Sequence, residues 1–255
     1  MMARLMAGEF RKLTSTRLWL WLLLGSVALT VLFAALAVAF GDDPSNPTPP
    51  LSSPGGQRTV FSVGFGGAGA LVAVLGAVVM TGEFRHRTAT ATFLGTPGRA
   101  RVVMAKMITS AVVGAGFALV CVAATIALAV PSLGAQGIEV SLSGNGIPGT
   151  LVAVVIAVAL YAVIGAGLGA ALRDQVAAAA GLLVYLFVVE PVVTRVGALK
   201  EWSIYLPGMA ANALTNIRQA GQDFLTPWQG GLVLAGYALV LAIVGTLSVA
   251  RRDVQ

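Results

Sequence analysis

The sequence predicts an all-α integral membrane protein with six transmembrane helices. Hydrophobic residues make up 57% of the chain and charged residues only 10%, whereas soluble domains average roughly 45–50% and about 25%. Six apolar stretches approach or exceed the ~20 residues with which a helix crosses a bilayer. Basic residues are concentrated in alternate connections between these stretches, as in multi-pass proteins with one fixed orientation. We predict a single transmembrane domain over 1–255, with spans at 18–40, 59–82, 102–130, 149–172, 175–193 and 230–250.

The distribution of basic residues predicts that both termini are cytoplasmic. In that orientation only 4 of the 16 basic residues lie outside, namely Arg58, Arg195, Lys200 and Arg218. The positive-inside rule favours this arrangement, and an odd number of spans would place the basic C-terminus outside. The first stretch is longer than the about 7–15 residues of a signal-peptide core, so we expect it to remain as a span.

Residues 2–17 are predicted to form an amphipathic helix at the inner membrane interface. Apolar residues recur at spacings of four, four and three, which places them on one helical face. These residues are Met2, Met6, Phe10 and Leu13. Arg4 and Arg11 fall on the opposite face, as in helices that lie in the plane of the interface. The alternative interpretation is a basic leader that only sets the topology.

Two connections are predicted to carry no chemistry. Residues 41–58 hold five of the eleven prolines, together with Asp42 and Asp43, and are expected to be an extended, poorly ordered external loop. The connection 173–175 is so short that the fourth and fifth spans are expected to form an antiparallel hairpin.

The cytoplasmic connection 83–101 is the most charged part of the chain. Its Thr96-Pro97-Gly98 turn is expected to end any helix that begins near Glu83. The segment is therefore predicted to form a short polar helix against the membrane, between the second and third spans. Two interpretations remain open: a basic hairpin that anchors to lipid, or a docking element for a cytoplasmic partner.

The connection 194–229 is too long and too apolar to be a simple loop. It contains Trp202 and Tyr205 and ends near Trp228. Tryptophan and tyrosine favour the membrane interface, and backbone at membrane depth must be hydrogen-bonded. We therefore predict a re-entrant segment, with one or two short helices that dip into the outer leaflet.

Within the spans, small residues predict close helix packing and ionisable residues are rare. Gly165 and Gly169 form a GxxxG pair, through which helices approach closely in lipid. Lys106, about one turn into the third span, is expected to snorkel to the inner surface. Glu190 is expected at the outer end of the fifth span. The scarcity of carboxylates near the midplane disfavours proton- or sodium-coupled transport.

No catalytic, metal or cofactor site is predicted in this chain. His86 is the only histidine and Cys121 the only cysteine, so neither a multi-histidine metal site nor an internal disulfide can form. No G-x-x-x-x-G-K-[ST] phosphate loop is present, and an intramembrane enzyme would need a nucleophile–base pair that is not evident. The basic residues flank spans, which favours contact with anionic lipids over nucleic-acid binding.

Several short motifs occur in a fixed order along the chain. The leader reads Gly8-Glu9-Phe10-Arg11-Lys12-Leu13-Thr14-Ser15-Thr16-Arg17. The second span ends in Gly82-Glu83-Phe84-Arg85-His86-Arg87-Thr88, followed by Thr96-Pro97-Gly98-Arg99 and Lys106. With six spans and a long last external connection containing Leu206-Pro207, this order resembles bacterial ABC-2 type transporter permeases over essentially the whole chain. One departure lies at His86-Arg87-Thr88, where many relatives carry a glycine before the threonine.

The resemblance implies the transmembrane subunit of an ABC exporter in the bacterial cytoplasmic membrane. Two permease halves, either two copies of this chain or this chain and a paralogue, would pair with two separate ATP-binding subunits, which bind ATP and magnesium. Residues 2–17 would form the connecting helix, with Glu9, Phe10, Arg11 and Lys12. A coupling helix from about Glu83 to Leu94 would contact the ATPase through Glu83, Phe84, Arg85, Arg87 and Thr88.

The apolar spans favour a hydrophobic or amphipathic cargo, such as a drug, a lipid-like molecule or an antimicrobial peptide. A different class of function is also consistent with the sequence. In this alternative, the protein is a non-transporting immunity, sensor or scaffold protein whose charged connection only recruits a cytoplasmic partner. An adjacent ATPase gene would favour the transporter.

Overall fold

The computed structural model describes residues 2–85, 98–217 and 224–251, and every regular element within them is helical. The long helices are α1 (Met2–Thr14), α2 (Leu18–Phe40), α3 (Pro54–Arg85), α4 (Arg99–Ala135), α5 (Ile147–Leu172) and α6 (Gln175–Val184). A π-helical turn (Tyr185–Val189) continues α6 into α7 (Glu190–Val193). After a 3-10 turn (Gly197–Leu199) come α8 (Lys200–Ser203), α9 (Pro207–Leu214) and α10 (Pro227–Arg251).

Six helical segments are long and apolar enough to cross a membrane, which fits a multi-pass membrane protein. They are Leu18–Phe40, Pro54–Gly82, Ala100–Ala135, Ile147–Leu172, Gln175–Val193 and Pro227–Val249. Helices need not end where the apolar sequence ends, because backbone hydrogen bonds continue outside the hydrocarbon layer. The second and third spans are therefore longer than the apolar stretches that predict them.

The core of the bundle is the contact between α3 and α5. This contact depends on glycines, which have no side chain to keep the two backbones apart. A Cβ atom on Gly165 would lie 1.8 Å from the carbonyl oxygen of Ala73, and one on Gly169 would lie 2.9 Å from that of Ala77. Gly76 on α3 faces Ala162 on α5 in the same way. The two backbones touch, as small residues allow in membrane bundles.

The N-terminal helix and the C-terminal part of the described chain lie at the same end of the bundle. A buried cluster joins the end of α3, the start of α4 and the ends of α5 and α10, with Met80, Val103, Ala170 and Val249 as members. The Arg173 guanidinium donates to the carbonyl oxygen of Ser248 at this end. Since α1 packs on α4 here, we call it the terminal end, and the opposite one the distal end.

At the distal end, the connection 41–53 folds back onto the bundle. The Asp42 carboxylate accepts the backbone N–H of Leu51 at 2.7 Å, and Asn46 donates to the carbonyl oxygen of Phe40 at 3.0 Å. Leu51 is buried against Val38 and its neighbours. The prediction of an extended loop over 41–58 is wrong. Leu51 is buried in the bundle, and the residues from Pro54 onward belong to α3.

Helices α5 and α6 are joined by the short turn that the sequence predicts. Arg173 has a φ of 58°, which reverses the chain direction, and its N–H bonds to the carbonyl oxygen of Gly169. The Asp174 carboxylate then accepts the N–H of Ala177 at 2.7 Å and caps α6. A side-chain acceptor at this position satisfies one of the N–H groups left free at a helix start.

Candidate functional site

Helix α1 is short, and its own sequence helps it to end before the first span. Arg11 and Lys12 lie in its last turn, where positive charge favours the negative end of the helix dipole. The hydroxyls of Thr14, Ser15 and Thr16 donate to carbonyl oxygens of the preceding turn. These bonds close α1, so that α2 begins as a separate helix at Leu18.

The face of α1 that packs on the protein carries one apolar and one charged residue. Leu13 is buried with the main core, but Phe10 is 51% exposed. The second buried residue of α1 is the charged Glu9. Glu9 therefore accompanies Leu13 against the bundle, and Phe10 lies on the exposed side; the placement of α1 in the membrane interface stays a prediction.

Glu9 lies at the centre of an ion-pair cluster that we call the N-terminal junction, formed by Glu9, Lys12 and Lys106. One carboxylate oxygen, Oε2, accepts the Lys106 ammonium at 2.5 Å, and Oε1 accepts the Lys12 ammonium at 2.8 Å. The side chains of Glu9 and Lys106 are 7% and 4% exposed, whereas that of Lys12 is 52% exposed. The junction therefore has a buried pair and an exposed third member.

Lys106 connects three helices through its ammonium group. It lies on α4, binds Glu9 of α1 and also donates to the carbonyl oxygen of Val79 on α3 at 3.4 Å. The Lys106 side chain thus ends at a carboxylate of α1, the helix that the sequence places at the inner interface. Its ability to snorkel toward the inner surface stays a prediction.

The junction ties α1 to the bundle strongly. Removing one member of a buried ion pair typically costs about 3–5 kcal/mol, because the other charge is left without compensation. Leu13 adds apolar contact one turn further along α1, beside Val72 and Leu75 of α3. Helix α1 is thus held by ion pairs at Glu9 and by packing at Leu13. A displacement of α1 would therefore move α4 directly.

The predicted coupling residues adjoin this junction along the chain. Helix α3 continues from Val79 to Arg85, so Glu83 follows Val79 by about one helical turn. Helix α4 begins at Arg99, about two turns before Lys106. The side chains of Glu83, Phe84 and Arg85 lie outside the described residues, as do Arg87 and Thr88 entirely. The connection thus leaves and rejoins the bundle beside the N-terminal junction.

The remaining predicted site residues have distinct places. Arg11 is exposed on α1. Gly165 and Gly169 both face α3 of the same chain, with the backbone contacts described above. Sequence reasoning missed the pairing of Glu9 with Lys106; the available signal was a lone lysine inside an apolar stretch, which requires a carboxylate from elsewhere.

The junction pairs opposite charges and thereby fastens α1 to α4. Among the described residues there is no cluster of histidine, cysteine, aspartate or glutamate that could hold a metal ion. Comparison of the sequence with models of known protein families and with curated proteins finds no match to either.

Proposed function

We propose that this protein is the permease subunit of an ABC exporter of the ABC-2 type. The observation that carries the proposal is the N-terminal junction, through which a surface helix is fastened to the third span beside the charged connection 83–101. A transport subunit driven by a separate ATPase needs such a link between its surface elements and its spans. The order of sequence motifs supports the same assignment.

In this proposal, ATP binds to partner subunits with its magnesium, and the permease converts their closure into motion. The partner presses on the coupling segment 83–101 and on α1, and Lys106 carries the displacement of α1 into α4. Two permease halves then rock against each other and change access to the pathway. ATP drives directional movement only if the cargo binds the two conformations with different affinity.

The cargo is proposed to be hydrophobic or amphipathic, such as a drug, a lipid-like molecule or an antimicrobial peptide. The span surfaces that face outward are almost entirely apolar, with Leu24, Val112, Leu119 and Leu239 among the most exposed residues. Both termini and the connection 83–101 are placed in the cytoplasm of a bacterium by this proposal, since an ATPase must reach them. The second half is a further copy of this chain or a paralogue.

The test is co-purification of the partner from native membranes. The tagged protein is isolated in mild detergent, and the proteins that accompany it are identified by mass spectrometry. We expect a stoichiometric ATPase with a phosphate-binding loop, which is lost when residues 83–94 are replaced by a neutral linker. As a matched control, a neutral linker in place of 43–49 at the distal end should leave the ATPase bound.

Recovery of the intact protein without any ATPase would contradict the proposal. It would favour the non-transporting alternative, in which the charged connection recruits a partner of another kind. Equal loss of the ATPase with both linkers would mean that docking does not depend on the segment 83–94.

A further inference from the structure

A cavity of about 340 Å³ lies between α3, α5, α9 and the segment that runs from the π-helical turn through α7 to Arg195. Its volume is in the range of small-molecule sites in proteins. Four aromatic side chains line it: Phe65, Tyr161, Phe187 and Phe224. Phe65 and Tyr161 pack edge to face, with ring centroids 5.0 Å apart and an interplanar angle of 81°. This contact fixes one wall of the cavity.

The cavity also contains a buried carboxylate, that of Glu190. Glu190 is only 6% exposed. Its Oε1 accepts the backbone N–H of Met209 at 2.9 Å, and a Cβ atom on Gly208 would lie 2.6 Å from the same oxygen. Its Oε2 has no hydrogen-bond partner among the described residues. The carboxylate thus caps the first turn of α9 with one oxygen and keeps the other free.

The backbone that presents Glu190 is irregular. The turn Tyr185–Val189 is π-helical, and the N–H of Glu190 bonds to the carbonyl oxygen of Tyr185, five residues back. Pro191 follows and has no N–H to give to a regular turn. Single π-helical turns inside α-helices are frequent at functional sites, because they redirect one side chain. Here the redirected side chain is a carboxylate.

Capping of α9 alone does not account for Glu190. A neutral glutamine would accept the same N–H, whereas burial of an ionised carboxylate is costly unless a cation compensates it. Arg195 also lines the cavity, but it is exposed and forms no ion pair with Glu190. A cation that enters the cavity would compensate the carboxylate and bind its free Oε2.

We propose that this cavity binds a lipophilic organic cation, with Glu190 as its counter-charge and aromatic rings as its walls. The faces of aromatic rings attract cations electrostatically, and an ionisable residue within a span is by default a candidate binding group. Use of the cavity as the cargo site rests on the proposed exporter function. Binding itself does not, because every residue found to line the cavity belongs to this chain.

The test is equilibrium binding to the purified protein in lipid nanodiscs, without any partner subunit. The probes are radiolabelled tetraphenylphosphonium and tetraphenylborate, which have nearly the same shape and opposite charge. Uptake by empty nanodiscs is subtracted. We expect saturable binding of the phosphonium and none of the borate. Equal binding of both probes, or saturable binding of neither, would overturn the proposal.

Variants then locate the site. Glu190→Gln keeps the acceptor for the N–H of Met209 and should weaken phosphonium binding at least tenfold without changing thermal stability. The control is Glu201→Gln, which alters an exposed carboxylate and should bind the phosphonium as the native protein does. If Glu190→Gln unfolds, Ala70→Phe provides the second measurement, because Ala70 lines the cavity and a phenyl ring would fill it. Native affinity in a folded Glu190→Gln or Ala70→Phe variant would refute the site. A failed ATPase pull-down leaves this assay unaffected.

Discussion

At the scale of single residues, Glu9 and Lys106 are the most consequential pair. Substitution of Glu9 by Gln removes the carboxylate that pairs with the buried Lys106 ammonium. We expect a loss of about 3–5 kcal/mol in unfolding free energy. The measurement is thermal unfolding of the purified protein in detergent, followed by intrinsic fluorescence.

The control and the compensating variant make this prediction specific. Lys12→Gln removes the half-exposed member of the junction and should cost less than about 1 kcal/mol. The double variant Glu9→Leu with Lys106→Met should recover much of the loss, since apolar residues of similar volume can replace a buried pair. A Glu9→Gln protein as stable as the native one would show that the pair contributes nothing.

Gly165 makes a second prediction at this scale. A methyl group there would meet the carbonyl oxygen of Ala73 at 1.8 Å, so α3 and α5 must separate. We expect Gly165→Ala to lower the free energy of unfolding by about 1–3 kcal/mol, as overpacked cores do. Gly116→Ala on α4 is the control, because a Cβ atom there has no neighbour within 4 Å.

The two possible roles of Gly165 give different results in that experiment. If the glycine served only an interface between two chains, Gly165→Ala would change the size of the complex in gel filtration and leave the stability of the single chain unaltered. The backbone contact with Ala73 predicts instead that Gly165→Ala lowers the stability of the single chain and leaves the size of the complex unchanged.

At the scale of elements, the connection between α3 and α4 is expected to transmit force. We predict that Glu83→Lys or Arg87→Glu lowers cargo-stimulated ATPase activity of the reconstituted complex by roughly fivefold or more, the lower end of typical coupling factors. The physical reason is that, in the proposed exporter, reversed charges would no longer match the docking cleft of the ATPase. Membrane insertion, measured by protease protection, should stay intact.

Charge reversal at the opposite end controls for general effects of charge. Glu201→Lys alters an exposed side chain on α8 and should keep native coupling. Normal coupling in both the Glu83→Lys and Arg87→Glu proteins would remove these residues from the docking surface.

At the scale of the whole molecule, the sequence predicts the six long apolar helices well and the contacts between them poorly. The six spans follow from hydropathy alone, because a bilayer imposes the same length and composition on every helix that crosses it. The burial of Lys106 does not, because Glu9 lies 97 residues away and only the packing of α1 on α4 brings them together. The closure of 41–53 was missed for a similar reason, since proline content conceals the burial of Leu51.

The orientation of the molecule is a prediction that one labelling experiment decides. In a protein with Cys121 replaced by alanine, a cysteine is introduced at Ser15, near the terminal end, or at Ser141, near the distal end; both positions are exposed. A membrane-impermeant maleimide should label the cysteine at 141 in intact cells and that at 15 only after permeabilisation. Labelling of position 15 in intact cells would reverse the assigned orientation.

The distance along the chain between Glu9 and Lys106 also sets the order in which helices pack together while the protein is being synthesised. The ribosome makes Lys106 97 residues after Glu9, which takes roughly 5 to 20 s at ordinary rates of elongation. Until then only Lys12, the exposed partner of Glu9, has been made, and the buried half of the junction cannot form. Lys106 lies near the start of the third span, so α1 can pack against α4 only after the first two spans have been synthesised.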